Sequence, residues 1–107
     1  MNKKQVNEEQ TGLPEETLKN IRYVLSQYSK IEKACVFGSR AKGNFKSGSD
    51  IDIALFGEKI SYQTLKKVTY QLNEETTMPY FFDLVHYETI NNDALLTHIN
   101  EFGLRLY

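Results

Sequence analysis

With 107 residues, a net charge of −1, 40% hydrophobic and 25% charged side chains, the chain has the size and composition of one ordinary soluble domain. Near-neutral charge excludes a global basic field, so no direct nucleic-acid binding is expected, and no apolar run reaches the ~20 residues of a membrane span. The lone Cys35 excludes an internal disulfide or a cysteine-based metal cluster, and a polar start without a signal-like apolar core points to the cytoplasm.

Residues 1–12 are polar and end at Gly12, so they read as a flexible tail or a short solvated helix, with the domain proper at 13–107. Pro14 followed by Glu15 and Glu16 opens a helix: proline fits the first turn and the acids suit its positive end. Leu18, Ile21, Leu25 and Tyr28 carry the helical spacing to about Ser29. Lys33 to Phe37 is a short strand stopped by Gly38. Gly38 to Ser49 holds three glycines, three serines and three basic residues, which makes it a loop with room for one helical turn after Ser39. Asp50 to Phe56 is the second strand. Ser61 caps a second helix running to about Glu75, and Met78-Pro79 breaks the chain before a third strand, Tyr80 to Tyr87. Thr89 or Asn91 opens a last helix that Gly103 ends, and Leu104 to Tyr107 is a candidate terminal strand. The order predicts an α/β (α+β) fold, a small mixed sheet of three or four strands with helices packed on it.

Chemistry concentrates on two of these strands. Asp50 and Asp52 stand two residues apart among Ile51, Ile53 and Leu55, so both carboxylates take one face while the isoleucines take the other. Two like charges on one strand face repel and call for a counter-ion. Oxygen-only ligands favour a hard cation, and Mg²⁺ takes one or two carboxylates together with phosphate oxygens. Asp83 repeats the anomaly inside Phe81-Phe82-Asp83-Leu84-Val85. If its strand neighbours the second one, three acids converge and suit two Mg²⁺ ions clamping a phosphoryl displacement. Upstream, Gly38-Ser39-Arg40-Ala41-Lys42-Gly43 follows a strand directly. Glycines let backbone N–H groups approach phosphate oxygens, Ser39 and Ser49 offer hydroxyls, and Arg40 and Lys42 offset charge. The segment lacks the spacing of a Walker A loop, which disfavours a P-loop ATPase.

Together, Gly38-Ser39, a gap of ten residues, Asp50-Ile51-Asp52 and an acid on a later strand resemble the signature of the DNA polymerase beta-like nucleotidyltransferase superfamily. GSRAKGNFKSGSDIDIALF looks like its compact branch, the minimal nucleotidyltransferases, and the likeness spans about residues 14–107. The resemblance implies a polymerase beta-like palm. It also implies Gly38 and Ser39 on the nucleotide's phosphates, Asp50 and Asp52 on the metals, and Asp83 as third ligand and aid to deprotonation of the acceptor hydroxyl. Larger relatives add a second domain that completes the pocket, so a partner is expected to close this one. Short members resemble the antitoxin half of modules whose other half is a helical HEPN-domain ribonuclease. The family implies ATP as donor, AMP placed on a tyrosine of the toxin, and a hetero-oligomer. The alternatives are a transferase modifying an aminoglycoside-like small molecule with a helical subunit, and a non-enzymatic antitoxin that acts by contact. His86 should face away from Asp83 as a structural histidine, and His98 should lie on the surface. Lys59, Lys66 and Lys67 mark a solvated helix face.

Overall fold

The computed structural model describes residues 8–107. Its elements, in chain order, are α1 (Glu8–Thr11), α2 (Glu15–Ser26), β1 (Lys33–Phe37), α3 (Ser39–Lys42), β2 (Ile51–Phe56), α4 (Tyr62–Glu74), β3 (Phe82–His86), α5 (Asp93–Phe102) and β4 (Leu104–Arg105). The strands form one mixed sheet in the order β3-β2-β1-β4, with β1 antiparallel to β2 and β4, and β3 parallel to β2. The parallel pair needs a crossover, and α4 supplies it.

Alternation along the strands divides the interior in two. Ala34 and Val36 of β1, Ile51, Ile53 and Leu55 of β2, and Phe82 and Leu84 of β3 join Leu18, Ile21, Leu25, Val68 and Leu72 of α2 and α4 in the main core. The opposite face carries Phe37, Ala54, Phe56 and Val85, which pack with Ile99 and Leu95 of α5. Asp52 and Asp83 belong by alternation to this second face.

The element boundaries depart from the sequence reading in small ways with local causes. Helix α2 stops at Ser26 because Gln27 and Tyr28 turn back onto the carbonyls of Val24 and Leu25, three residues behind. Ser61 caps α4 as expected, accepting from the Thr64 N–H. Neither Thr89 nor Asn91 opens α5. Asn92 does, accepting from the Leu95 N–H, after a 3₁₀ turn at Tyr87–Thr89. Residues 1–7 of the expected tail lie outside the described residues, while the tail's last residues form α1, which packs on α3, and Thr11 is buried.

Candidate active site

The register of the parallel pair sets Asp52 directly beside Asp83, and that of the antiparallel pair sets Asp52 beside Phe37. Asp50 stands one residue before β2 and is exposed. The expected neighbourhood of the second and third strands is therefore present, and it brings the three carboxylates to one region. Burial, first, and then the charges of Asp83 and Asp50 push the Asp52 carboxyl above the usual carboxylate range, while His98 acts in the opposite direction. Among the described residues, no three His, Cys, Asp or Glu side chains are arranged to hold an ion by themselves. The set is oxygen-only and electrostatically frustrated, which fits a hard divalent cation that draws its remaining ligands from phosphate.

The shifted carboxyl fixes a dependence of stability on pH. A raised folded-state pKa means that ionisation costs more in the fold than in the unfolded chain. The penalty is absent below the unfolded value and complete above the folded one, so the metal-free protein loses this part of its stability as pH rises. Asp52→Asn removes the penalty. The variant should melt at least as high as the parent at pH 7, with the difference narrowing as pH falls toward the ordinary aspartate value. A loss of about 1 kcal/mol, roughly 4–8 °C in a domain of this size, would instead make Asp52 a structural partner.

Gly38 closes β1 at φ +74, and a Cβ there would collide with the Asp52 carboxylate. The backbone angle favours glycine strongly, and any side chain here would have to push the Asp52 carboxylate aside. Its N–H donates to His98 Nε2 at 2.8 Å, and the imidazole packs edge-on against Phe37 and tilted against Phe102. His98 is thus not a surface bystander. It ties α5 to the turn beside Asp52, a role that helical spacing cannot reveal because it depends on α5 crossing the second face of the sheet. His86 matches expectation: it is buried on the main-core side, with Nε2 2.7 Å from the Gly57 carbonyl.

Ser39 opens α3 immediately after Gly38, and its side chain is partly exposed. Lys42 is exposed at the far end of α3, its ammonium 5.5 Å from the Phe102 ring centroid. Arg40 is placed differently from the phosphate-binding expectation. It is 1% exposed, and its guanidinium donates to the carbonyls of Thr11, Ser47 and Ser49 while lying 5.2 Å from the ring centroids of Phe45 and Tyr80. Burial pulls its pKa below the ordinary arginine value, though guanidinium stays charged in proteins. Arg40 therefore buckles the loop from inside, and Ser49 helps: its carbonyl receives Arg40 and its hydroxyl accepts the Lys46 N–H. Arg40→Ala should cost about 1.5–3 kcal/mol in denaturant unfolding, as expected for losing hydrogen bonds from a charged donor. Unchanged stability with weakened nucleotide binding would return Arg40 to the phosphates.

Residues 19–107 match the family described as Polymerase beta, Nucleotidyltransferase. No curated protein matches the chain. Among solved structures, a toxin–antitoxin complex with AMP-PNP matches at a TM-score of 0.70 and 22% identity, over 84% of this chain and 72% of the other. A mutant of the MntA–HpeT toxin–antitoxin pair matches at a TM-score of 0.68 and 18% identity, over 84% and 71%. A tri-AMPylated Shewanella oneidensis HEPN toxin in complex with MNT antitoxin matches at 0.64 and 20%, over 84% and 68%. At such identities the likeness is one of fold.

Proposed function

The chain belongs to the polymerase beta nucleotidyltransferase family, and from that membership we propose that it is a Mg²⁺-dependent enzyme transferring AMP from ATP to a hydroxyl of a protein partner, a tyrosine of a HEPN-domain toxin, and that it acts as that toxin's antitoxin. The observation that carries the reading is the Asp52–Asp83 register pair, with Asp50 adding its charge and Gly38 pressed against the Asp52 carboxylate.

In this reading the Gly38–Ser39 turn holds the nucleotide's phosphates, with the Ser39 hydroxyl as donor and exposed Lys42 as a source of positive charge. Asp50, Asp52 and Asp83 hold Mg²⁺, which when bound offsets the charge of the triphosphate and of the departing pyrophosphate. The partner's hydroxyl oxygen bonds to the α-phosphorus, the bond from that phosphorus to the bridging oxygen breaks, and pyrophosphate leaves. The hydroxyl proton passes to Asp83, which is exposed on the outermost strand and so accessible to a second protein. Catalysis of this kind is mainly positioning and electrostatics, and the two strands supply both. The choice of a toxin as acceptor is supported by likeness in fold to chains of toxin–antitoxin complexes, in one of which the toxin is AMPylated.

The test is to incubate the protein with ATP, Mg²⁺ and a HEPN-domain protein from the same genome, then weigh the latter intact. AMP adducts on a hydroxyl residue are expected. No adduct with any nucleoside triphosphate overturns the reading.

A further inference from the structure

The β3 edge of the sheet is closed at one end, half closed at the other and open between them. In a parallel ladder, alternate residues of a strand turn both main-chain groups to the same neighbour. Ile51 donates to the Phe81 carbonyl, and Ile51 is in register with Phe82. Phe81, Asp83 and Val85 therefore face β2, while Phe82, Leu84 and His86 turn their N–H and C=O groups outward. Asn73 of α4 takes both outward groups of Phe82, its Oδ1 accepting the N–H at 2.8 Å and its Nδ2 donating to the carbonyl at 2.9 Å. The Thr89 hydroxyl donates to the His86 carbonyl at 3.0 Å. A side chain thus imitates a neighbouring strand at one end, and another occupies the carbonyl at the other.

Between them lies Leu84, whose outward pair meets no partner among the described residues. It forms one wall of a shallow groove of about 440 Å³, floored by Leu65, Thr69 and Asn73 and rimmed by Lys66, Tyr70 and Glu74. Leu84 is itself only 8% exposed, so little water reaches its open donor and acceptor. There an external hydrogen bond competes less with water. A donor and an acceptor at one residue's spacing, beside an open groove along a strand edge, recognise another extended main chain.

We propose that an extended segment of the acceptor protein docks as a short added strand on the β3 edge, bonding to Leu84 and filling the groove beneath α4. The inference rests on the AMP-transfer reading for the identity of the occupant. Its consequence for the site follows from strand alternation. Asp83 adjoins Leu84 and points to the other face of the sheet, so the docked residue next to the one opposite Leu84 also points to that face, beside Asp83. A hydroxyl residue at that place is delivered to the carboxylates. The slot thereby selects acceptors whose hydroxyl lies on a chain able to straighten, and disfavours hydroxyls in the middle of helices.

The probe is the capped pentapeptide Thr-Val-Tyr-Val-Thr, with the same peptide N-methylated at alternate amides as the control that cannot pair. Nuclear magnetic resonance on the full chain, without nucleotide, follows amide exchange. The Leu84 amide should exchange about tenfold more slowly at a peptide concentration about nine times its Kd, because exchange then comes from the residual free protein. The methylated peptide should leave it unchanged. Thr69→Arg, which fills the groove from α4, should keep the melting temperature and abolish the effect. Equal effects of both peptides, or none at Leu84, overturn the docking. So does protection of Leu84 that rises with protein concentration alone, since the occupant is then a second copy. Because this readout needs no nucleotide, it separates the two readings. AMP transfer to a partner without Leu84 protection overturns the docking alone, whereas Leu84 protection with no transfer to any acceptor supports the slot and overturns AMP transfer.

Discussion

The Asp50→Asn, Asp52→Asn variant is expected to lose nucleotidyl transfer by at least about a thousandfold while remaining folded. The size follows from the metal that the proposed reading places on the carboxylates. A bound metal supplies several kcal/mol of charge stabilisation in a phosphoryl displacement, and each 1.36 kcal/mol is tenfold in rate. The fold should survive because neither substitution touches the core: Asp50 precedes β2, and Asp52 lies on the face opposite Ile51 and Ile53. The substitutions also remove the crowding of charge that pushes the Asp52 carboxyl up. Calorimetry with Mg²⁺ and a non-hydrolysable ATP analogue should show binding to the parent that disappears in the variant. Mg²⁺ should raise the parent's melting temperature and leave the variant's unchanged. Equal affinity of parent and variant for the metal–nucleotide pair would remove the metal from these aspartates.

Much of this arrangement is legible in the chain, and the illegible parts have a common cause. Strict alternation in Asp50-Ile51-Asp52-Ile53 announces a strand with one chemical and one apolar face, and the main core holds both isoleucines as that pattern requires. The glycine at position 38 announces a turn, and its positive φ together with the neighbouring carboxylate explains why a side chain there would be strained. What the chain does not announce are contacts between distant segments. Arg40 beside Ser39 reads as a phosphate ligand because its local context is a glycine-rich loop. Only the fold shows that Thr11, from 29 positions away, lends a carbonyl to its guanidinium. His98 reads as a surface residue on an amphipathic helix until α5 is laid across the sheet, where it receives the Gly38 N–H from 60 positions away. The open edge at Leu84 is likewise invisible, because it depends on which strand ends the sheet and on which outward groups Asn73 and Thr89 happen to cover. Sequence periodicity specifies faces well and specifies long-range partners hardly at all.

The second large effect is expected on the partner. If control of a toxin depends on AMP transfer, one molecule of this chain modifies many molecules of its partner, whereas an inhibitor that works by contact must match its target one to one. At a turnover of even about 1 s⁻¹, about one enzyme per ten partners should convert the whole population within minutes in the presence of ATP and Mg²⁺. Intact mass spectrometry should find every partner molecule heavier by one or more AMP units, and fragmentation should place them on a hydroxyl residue. The carboxylate variant should produce no shift at the same ratio. In cells, the parent should protect against the partner's toxicity and the variant should not, although both accumulate equally. The modified partner, purified away from the enzyme, should stay inactive, because the phosphodiester linkage persists after the two proteins separate. Full protection by the carboxylate variant, with no adduct from any nucleoside triphosphate, would make the chain a contact inhibitor. Protection would then fall in proportion once the partner outnumbered it, and that dose dependence separates the two mechanisms even where an adduct is too labile to weigh.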